Sequence, residues 1–275
     1  MSPHMFPPRK VLLPTDMSEA SAAALGFAKI LHQQFHTANY LLHAQYFEMP
    51  LYFSSGQMDL MKRELERSRR LASEYLARES QAAIGASVEV VIVEKPPVEA
   101  ILETARDLRV DLILMGTHGR RGAGRLLLGS VAERVLRESV QPVMAIRQDW
   151  TPVPVRHVLC PLKDSEAGRT ALEYAAQVAK ASGSRLSVLH VAEEGAAAMQ
   201  CPLVGEEIRR SCRIEESVIH GDAANTILEA TQNLKPDLIV LGADRKPSFL
   251  GELFSSTTQK VMQASPAPIL VVPRV

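Results

Sequence analysis

"DLILMGTHGRRGAGRLLLGSVAERVLRES", residues 111–139, carries three readings in succession. DLILM is a short apolar run with the character of a buried strand. GTHGRRGAGRLLLGS, 116–130, places five glycines and three arginines in fifteen positions, too much bare backbone for a regular element. VAERVLRES alternates apolar and charged residues at helical spacing. Strand, glycine loop and helix in direct succession are the building unit of an α/β sheet protein.

The same alternation extends outward on both sides. In the first half strands are predicted near 10–14, 38–46, 87–94, 111–115 and 143–147, with helices near 18–35, 57–82, 97–108 and 130–139. In 57–82, Leu60, Leu65, Leu71, Ala72, Tyr75 and Leu76 form an apolar stripe, and the charged KRELERSRR belongs to the opposite, solvated face. Strands alternating with helices imply a parallel sheet with right-handed crossovers and helices on both faces. Ligands of such sheets bind beyond the carboxyl ends of the strands, where strand order switches.

The chain also repeats itself. VLLPTDMSEAS (11–21) resembles VLCPLKDSEAG (158–168), and LLHAQ (41–45) resembles VLHVA (188–192). VDLILMGTHGR (110–120) resembles PDLIVLGADRK (236–246), and VQPVMAIR (140–147) resembles PAPILVVP (266–273). Four matches in one order indicate a tandem duplication. The expected division is 1–147, a proline-containing linker 148–156, and 157–275.

Composition excludes several classes. Lys plus Arg is 31 and Asp plus Glu is 31, so there is no broad basic footprint for nucleic acid. Cys160, Cys201 and Cys212 form no C-x-x-C pair and imply a reducing compartment. MSPHMFPPRK lacks the apolar core of a secretion signal, and no apolar run approaches bilayer-spanning length. A soluble cytoplasmic protein without a membrane or nucleic-acid partner is expected.

The loop at 116–130 follows a strand at the place where a ligand is expected. Glycines let backbone N–H groups line a concavity that a phosphate can approach, and the next helix presents the positive end of its dipole. Arg120, Arg121 and Arg125 add charge, and Ser130 supplies a hydroxyl that caps the helix or touches a phosphate. Composition alone leaves a polyphosphate cradle and an ordinary turn before a capped helix equally open. There is no G-x-x-x-x-G-K-[ST], and GAG at 122–124 is not followed by a third glycine at fingerprint spacing.

The spacing Gly116, two residues, Gly119, nine residues, Gly129–Ser130 resembles the G-2x-G-9x-G-[ST] motif of universal stress proteins, and VLLPTD, LLHA and PVMAIR extend the likeness along both halves. The resemblance implies two tandem flavodoxin-like, Rossmann-like domains of the adenine nucleotide alpha hydrolase type, each with a parallel five-stranded sheet. It implies ATP, with or without Mg, as ligand. Asp16 would contact the adenosine, Pro14 and Thr15 would shape its pocket, and Ala44 would lie against adenine, where the family usually has a larger apolar residue. Gly116, His118, Gly119, Gly129, Ser130 and Val131 would surround ribose and phosphates, with Arg120 adding charge. DMSE also reads as a helix cap, so Asp16 has a second, structural reading. The final strands PVMAI and PILVV would pair with each other as an intramolecular pseudo-dimer, and the tandem could form a homodimer.

The second copy departs from the motif. Thr15 aligns with Leu162, Asp16 with Lys163, Gly116 with Gly242, Gly119 with Arg245, Gly129 with Ser255 and Ser130 with Ser256. The second half therefore reads as structural or regulatory, with a new anion site at Lys163 and Arg245 as the alternative. His43 and His190 match between copies and read as hydrogen-bonded structural histidines rather than metal ligands. Cys160 reads as core. No catalytic residue is assigned, and neither an H-x-G-H nor an S-G-G-x-D-S element is present. The expected function is an ATP-binding, nucleotide-responsive regulator in stress response. The alternatives are a slow ATPase or phosphotransferase with Ser130 as acceptor, and a nucleotide-free scaffold.

Overall fold

The computed structural model of the chain describes residues 5–46, 55–117, 128–192, 204–243 and 256–274. In the first half, β1 (Lys10–Pro14), α1 (Glu19–Phe35), β2 (Ala38–Ala44), α2 (Ser55–Ile84), β3 (Glu89–Val93), α3 (Pro97–Asp107), β4 (Leu112–Gly116), α4 (Ser130–Glu138) and β5 (Val143–Ile146) follow the predicted order. The second half repeats it with β6 (His157–Leu162), α5 (Glu166–Ser182), β7 (Arg185–Ala192), α6 (Glu206–Ser211), β8 (Arg213–His220), α7 (Ala223–Leu234), β9 (Leu238–Ala243), α8 (Ser256–Ala264) and β10 (Ile269–Pro273).

Local chemistry sets the element ends. Ser18 caps α1 by accepting the Ser21 N–H, and Ser165 does the same for α5 through the Gly168 N–H. α1 stops at left-handed His36 and α5 at left-handed Gly183, each closing a bond back to the helix. The apolar runs of β4 and β9 are buried through their first four residues, as expected for strands covered on both faces.

Strand order is β3-β2-β1-β4-β5-β10-β9-β6-β7-β8 in one ten-stranded sheet. Within each half every pairing is parallel, but β5 and β10 run antiparallel, with Met144 opposite Leu270. The expectation of two five-stranded sheets is corrected in that respect. Each half contributes five strands, and the edge that either would expose is closed by the other. Two apolar layers flank the sheet. One holds Phe27, Leu31, Tyr174 and Val178 under α1 and α5, and the other holds Ile101, Val135, Ile227 and Val261 under α3, α4, α7 and α8.

The stretch expected as a linker touches the first half at Trp150 and Pro152. Trp150 lies against Phe27 with ring centroids 5.5 Å apart, and a Cβ on Gly26 would meet the Pro152 ring at 2.5 Å. At the other end of the first half, the Phe6 N–H donates to Gln177 Oε1 at 2.8 Å and its ring contacts Tyr174 and Phe35. The start of the first half thus packs on α5 of the second, and the stretch between the halves packs on α1.

The reading of α2 needs a correction. Leu76 is buried and Leu65 and Ala72 are partly so, but Leu60, Leu71 and Tyr75 are exposed. The helix has two apolar stripes, and only one faces the sheet.

Candidate functional site

The chain leaves β1 through α1 to β2 on one side and returns through α3 to β4 on the other. The carboxyl ends of β1 and β4 therefore flank the point where strand order switches, the place where open α/β sheets bind ligands. Pro14, Thr15 and Asp16 extend from β1, Ala44 ends β2, Gly116 ends β4, and Gly129, Ser130 and Val131 begin α4. His118, Gly119 and Arg120 lie outside the described residues, as do Arg121 and Arg125.

The loop after β1 is held from several sides. The Thr15 N–H donates to the Leu42 carbonyl at 2.8 Å, and the Thr15 carbonyl meets His43 Nδ1 at 2.9 Å. The Thr15 hydroxyl donates to Ser21 Oγ at 2.9 Å and accepts the Met17 N–H at 3.0 Å. Ser21 Oγ in turn donates to the Ser18 carbonyl at 2.8 Å, and Asp16 Oδ1 accepts the Ser18 N–H at 3.1 Å. Met17 has φ +63°, a left-handed conformation that is uncommon outside glycine, asparagine and aspartate and disfavoured for a side chain of this kind. Such strain persists where surrounding contacts impose it and clusters at functional sites.

The other wall is the start of α4. The buried Thr117 joins strand to helix, its N–H donating to the Ile146 carbonyl at 2.9 Å and its carbonyl accepting the Gly129 N–H at 2.8 Å. The cap of α4 is Gly129, not Ser130, and Gly129 brings no side-chain acceptor to the helix start. Ser130 is the first helical residue and is exposed. The cap residue of α4 thus offers its first amides none of the side-chain acceptors that α1, α5 and α7 receive from Ser18, Ser165 and Asp222. A helix start capped only by a glycine, at the carboxyl edge of a parallel sheet, is chemically an anion seat. Gly129 has φ −63° and ψ 144°, angles open to any residue, so the backbone itself does not demand glycine there. Ala44 and Val131 are half-buried and pack on the apolar layer of the α3 and α4 face.

Gly116 has a role that the motif did not reveal. A Cβ there would sit 2.6 Å from the Ala20 carbonyl oxygen in the first turn of α1. At the matching place in the second half, a Cβ on Gly242 would sit 2.3 Å from the Ala167 carbonyl oxygen. Both glycines allow a helix backbone to lie against a strand end. This explains why the glycine survives in the copy that has lost the other two motif glycines.

The second-half loop has a different build. Leu162 and Gly168 replace Thr15 and Ser21, so the hydroxyl pair is gone. Lys163 turns its carbonyl into the space a Cβ of Gly168 would fill, 2.0 Å away, and that carbonyl accepts the Ser165 N–H. Asp164, where Met17 stands in the first half, is not left-handed. Arg245, Ser255 and the side chain of Ser256 lie outside the described residues. Sequence reading did not single out Met17, Ser21 or Thr117. The signal for Ser21 was the last letter of SEAS against SEAG in the aligned copies.

The histidine expectation divides. His43 is hydrogen bonded as predicted, whereas neither ring nitrogen of the buried His190 has a partner among the described residues. His190 lies opposite Leu162, the residue aligned with Thr15, in the β6–β7 register, and burial holds its pKa below the usual imidazole value. Cys160 is fully buried, which pushes its thiol up to about 12 and makes it core rather than nucleophile. No helix among the described residues is long and apolar enough to cross a membrane.

Comparison with known proteins agrees with the fold. The universal stress protein family model matches twice, at residues 7–147 and 154–273. A universal stress protein of Methanocaldococcus jannaschii is 30% identical over 150 residues, covering 51% of this chain and 82% of that protein. One from Thermus aquaticus is 32% identical over 140 residues, covering 50% of this chain and 98% of its own. The crystal structure of a universal stress protein from Archaeoglobus fulgidus superposes with a TM-score of 0.79 at 26% identity, covering 98% of this chain and all of that one.

Proposed function

The chain belongs to the universal stress protein family, and from that premise we propose that its first half binds one ATP and uses it to change conformation or partner choice in a cytoplasmic stress response. The observation that carries the reading is the start of α4, capped only by a glycine and hung on Thr117 at the end of β4, on the same sheet edge as the loop after β1 with its left-handed Met17. A nucleotide's phosphates fit that helix start, since they supply a negative acceptor that the glycine cap does not. In this reading Pro14, Thr15, Asp16 and Ala44 hold the adenosine. Gly116, His118, Gly119, Arg120, Gly129, Ser130 and Val131 surround ribose and phosphates, with or without Mg. The working division is 1–147, a linker at 148–156, and 157–275, with the halves forming a pseudo-dimer; the β5–β10 pairing supports that arrangement.

The second half is read as structural or regulatory and without ATP. Its loop offers Leu162 and Lys163 where the first half offers Thr15 and Asp16. Each buried polar partner lost costs about 1–3 kcal/mol, so two such losses weaken binding roughly a hundredfold or more. A slow ATPase or phosphotransferase is the second reading, resting on the exposed Ser130 hydroxyl at the helix start. Titration calorimetry tests the proposal, with one ATP expected per chain. Gly129→Val should abolish binding with a native far-UV circular dichroism spectrum, because its backbone angles tolerate valine while a close phosphate does not. Two equivalent sites, or wild-type affinity in the folded variant, would overturn it.

A further inference from the structure

Helix α2 carries an apolar stripe that this chain does not cover. Leu60 is 62% exposed, Leu71 53% and Tyr75 44%. Among the described residues, the only other large exposed apolar side chain in a helix is Leu234, at the end of α7. The main packing partners of α2 are α1 and β3, and β3 is the edge strand at one end of the ten-stranded sheet. Among the described residues, the second half has the six-residue α6 at the corresponding place.

At about 100° per residue, Leu60, Glu64, Arg67, Tyr75, Arg78 and Ala82 all lie within roughly 40° of Leu71 around the helix. Glu74 flanks them on the same side as Arg67. From Leu60 to Ala82 the stripe runs about 33 Å. All of these residues are exposed. The charges are ordered Glu64, Arg67, Glu74, Arg78, so the pattern is inverted on the two sides of Leu71. A second α2 laid antiparallel on the first, with both Leu71 side chains at the two-fold axis, meets this order in reverse. Glu64 then faces Arg78 of the second copy, and Arg67 faces Glu74 of the second copy. Leu60 covers Ala82, and no like charges oppose each other. Symmetry doubles every pair, giving an isologous interface with an apolar centre.

We propose that two copies of this chain associate in solution through antiparallel packing of α2 on α2 about Leu71. The inference does not depend on nucleotide binding, since α2 supplies none of the residues assigned to the site. A surface of this kind is matched by the chain's own second copy because it is complementary to itself.

Sedimentation of the full chain provides the test. The wild type should run at twice its 30.2 kDa monomer mass. Leu71→Asp should halve that mass with a native far-UV spectrum, since residue 71 is exposed. Glu64→Arg and Arg78→Glu should each do the same by placing like charges opposite one another. The double variant E64R/R78E should regain the dimer, which loss of folding could not mimic. A wild type that stays monomeric at its highest soluble concentration would overturn the proposal. So would a dimer indifferent to Leu71→Asp, or a charge-swapped double variant that stays monomeric.

Discussion

Two glycines in equivalent positions separate packing from ligand binding. Gly116 lies in the half with the intact motif and Gly242 in the half without it, yet a Cβ at either would press on a carbonyl oxygen, of Ala20 or Ala167. Those oxygens belong to helix backbone and cannot swing away as a side-chain end would. Gly116→Ala and Gly242→Ala should therefore each destabilise the fold, by roughly 1–3 kcal/mol or more, the range for overpacking. Urea unfolding measures both. A harmless Gly242→Ala beside a damaging Gly116→Ala would tie the glycine to the ligand instead. Gly129 is the contrasting case, with ordinary backbone angles and an expected effect on binding alone.

Strands β1 and β6 start in the same way, with a different side chain at the anchor. Asp111 Oδ2 accepts the N–H groups of Arg9 and Lys10 at 2.8 and 2.9 Å, and Asp237 Oδ2 accepts those of Arg156 and His157 at 2.8 and 3.0 Å. Lys10 Nζ then donates to the Leu108 carbonyl, whereas the buried His157 sits with Nδ1 3.2 Å from the Leu234 carbonyl, 3.0 Å from Arg185 Nη2, and Nε2 2.8 Å from Ser187 Oγ. The tautomer with hydrogen on Nε2 donates to Ser187 and accepts from Arg185. Burial first, and the Arg185 charge second, hold the His157 pKa below 6.5, against smaller pulls upward from the Leu234 carbonyl, Asp237 and Glu215. Above about pH 6.5 the ring is neutral folded or unfolded, and its contacts are fully counted in stability. As pH falls below that value the unfolded chain takes the proton first, so stability drops until the folded ring titrates too. His190 adds a drop of the same sign. Urea unfolding at about pH 7.5 and about pH 5.5 should register the loss, and His157→Gln should make it smaller. An unchanged drop in that variant would remove His157 from the account.

At the scale of the molecule, the sheet does not stop between the halves. Val143, Met144 and Ala145 pair with Val271, Leu270 and Ile269, all buried, and Trp150 is packed on Phe27 while Phe6 reaches Tyr174. Opening either half would uncover the sheet edge of the other, and opening the first would also take Phe6 from α5. The two halves are expected to unfold in one transition. Trp150 is the single tryptophan and sits in the linker, so its emission reports the junction. Its denaturation curve should coincide with the far-UV circular dichroism curve. Separated midpoints would mean that the halves unfold independently and that the β5–β10 pairing adds little to stability.

The order of strands and helices was legible in the sequence because it rests on local periodicity and on caps such as Ser18 and Gly183, whose partners lie within a few residues. The duplication was legible for the same reason, each copy repeating the same local signals. The candidate site was half legible: the glycine spacing marked where α4 begins, and Thr15 and Asp16 marked the facing loop. What lies between distant segments was decided only by the folded chain. That β5 would meet β10 and merge two sheets into one depends on which free edge is available, not on either strand's own pattern. That Gly116 answers to Ala20 and that Ser21 braces Thr15 depends on how closely α1 approaches the strand ends. That Leu60, Leu71 and Tyr75 remain outside follows from the position of α2 at the end of the sheet, where one face of a helix is enough to cover the strands beneath it.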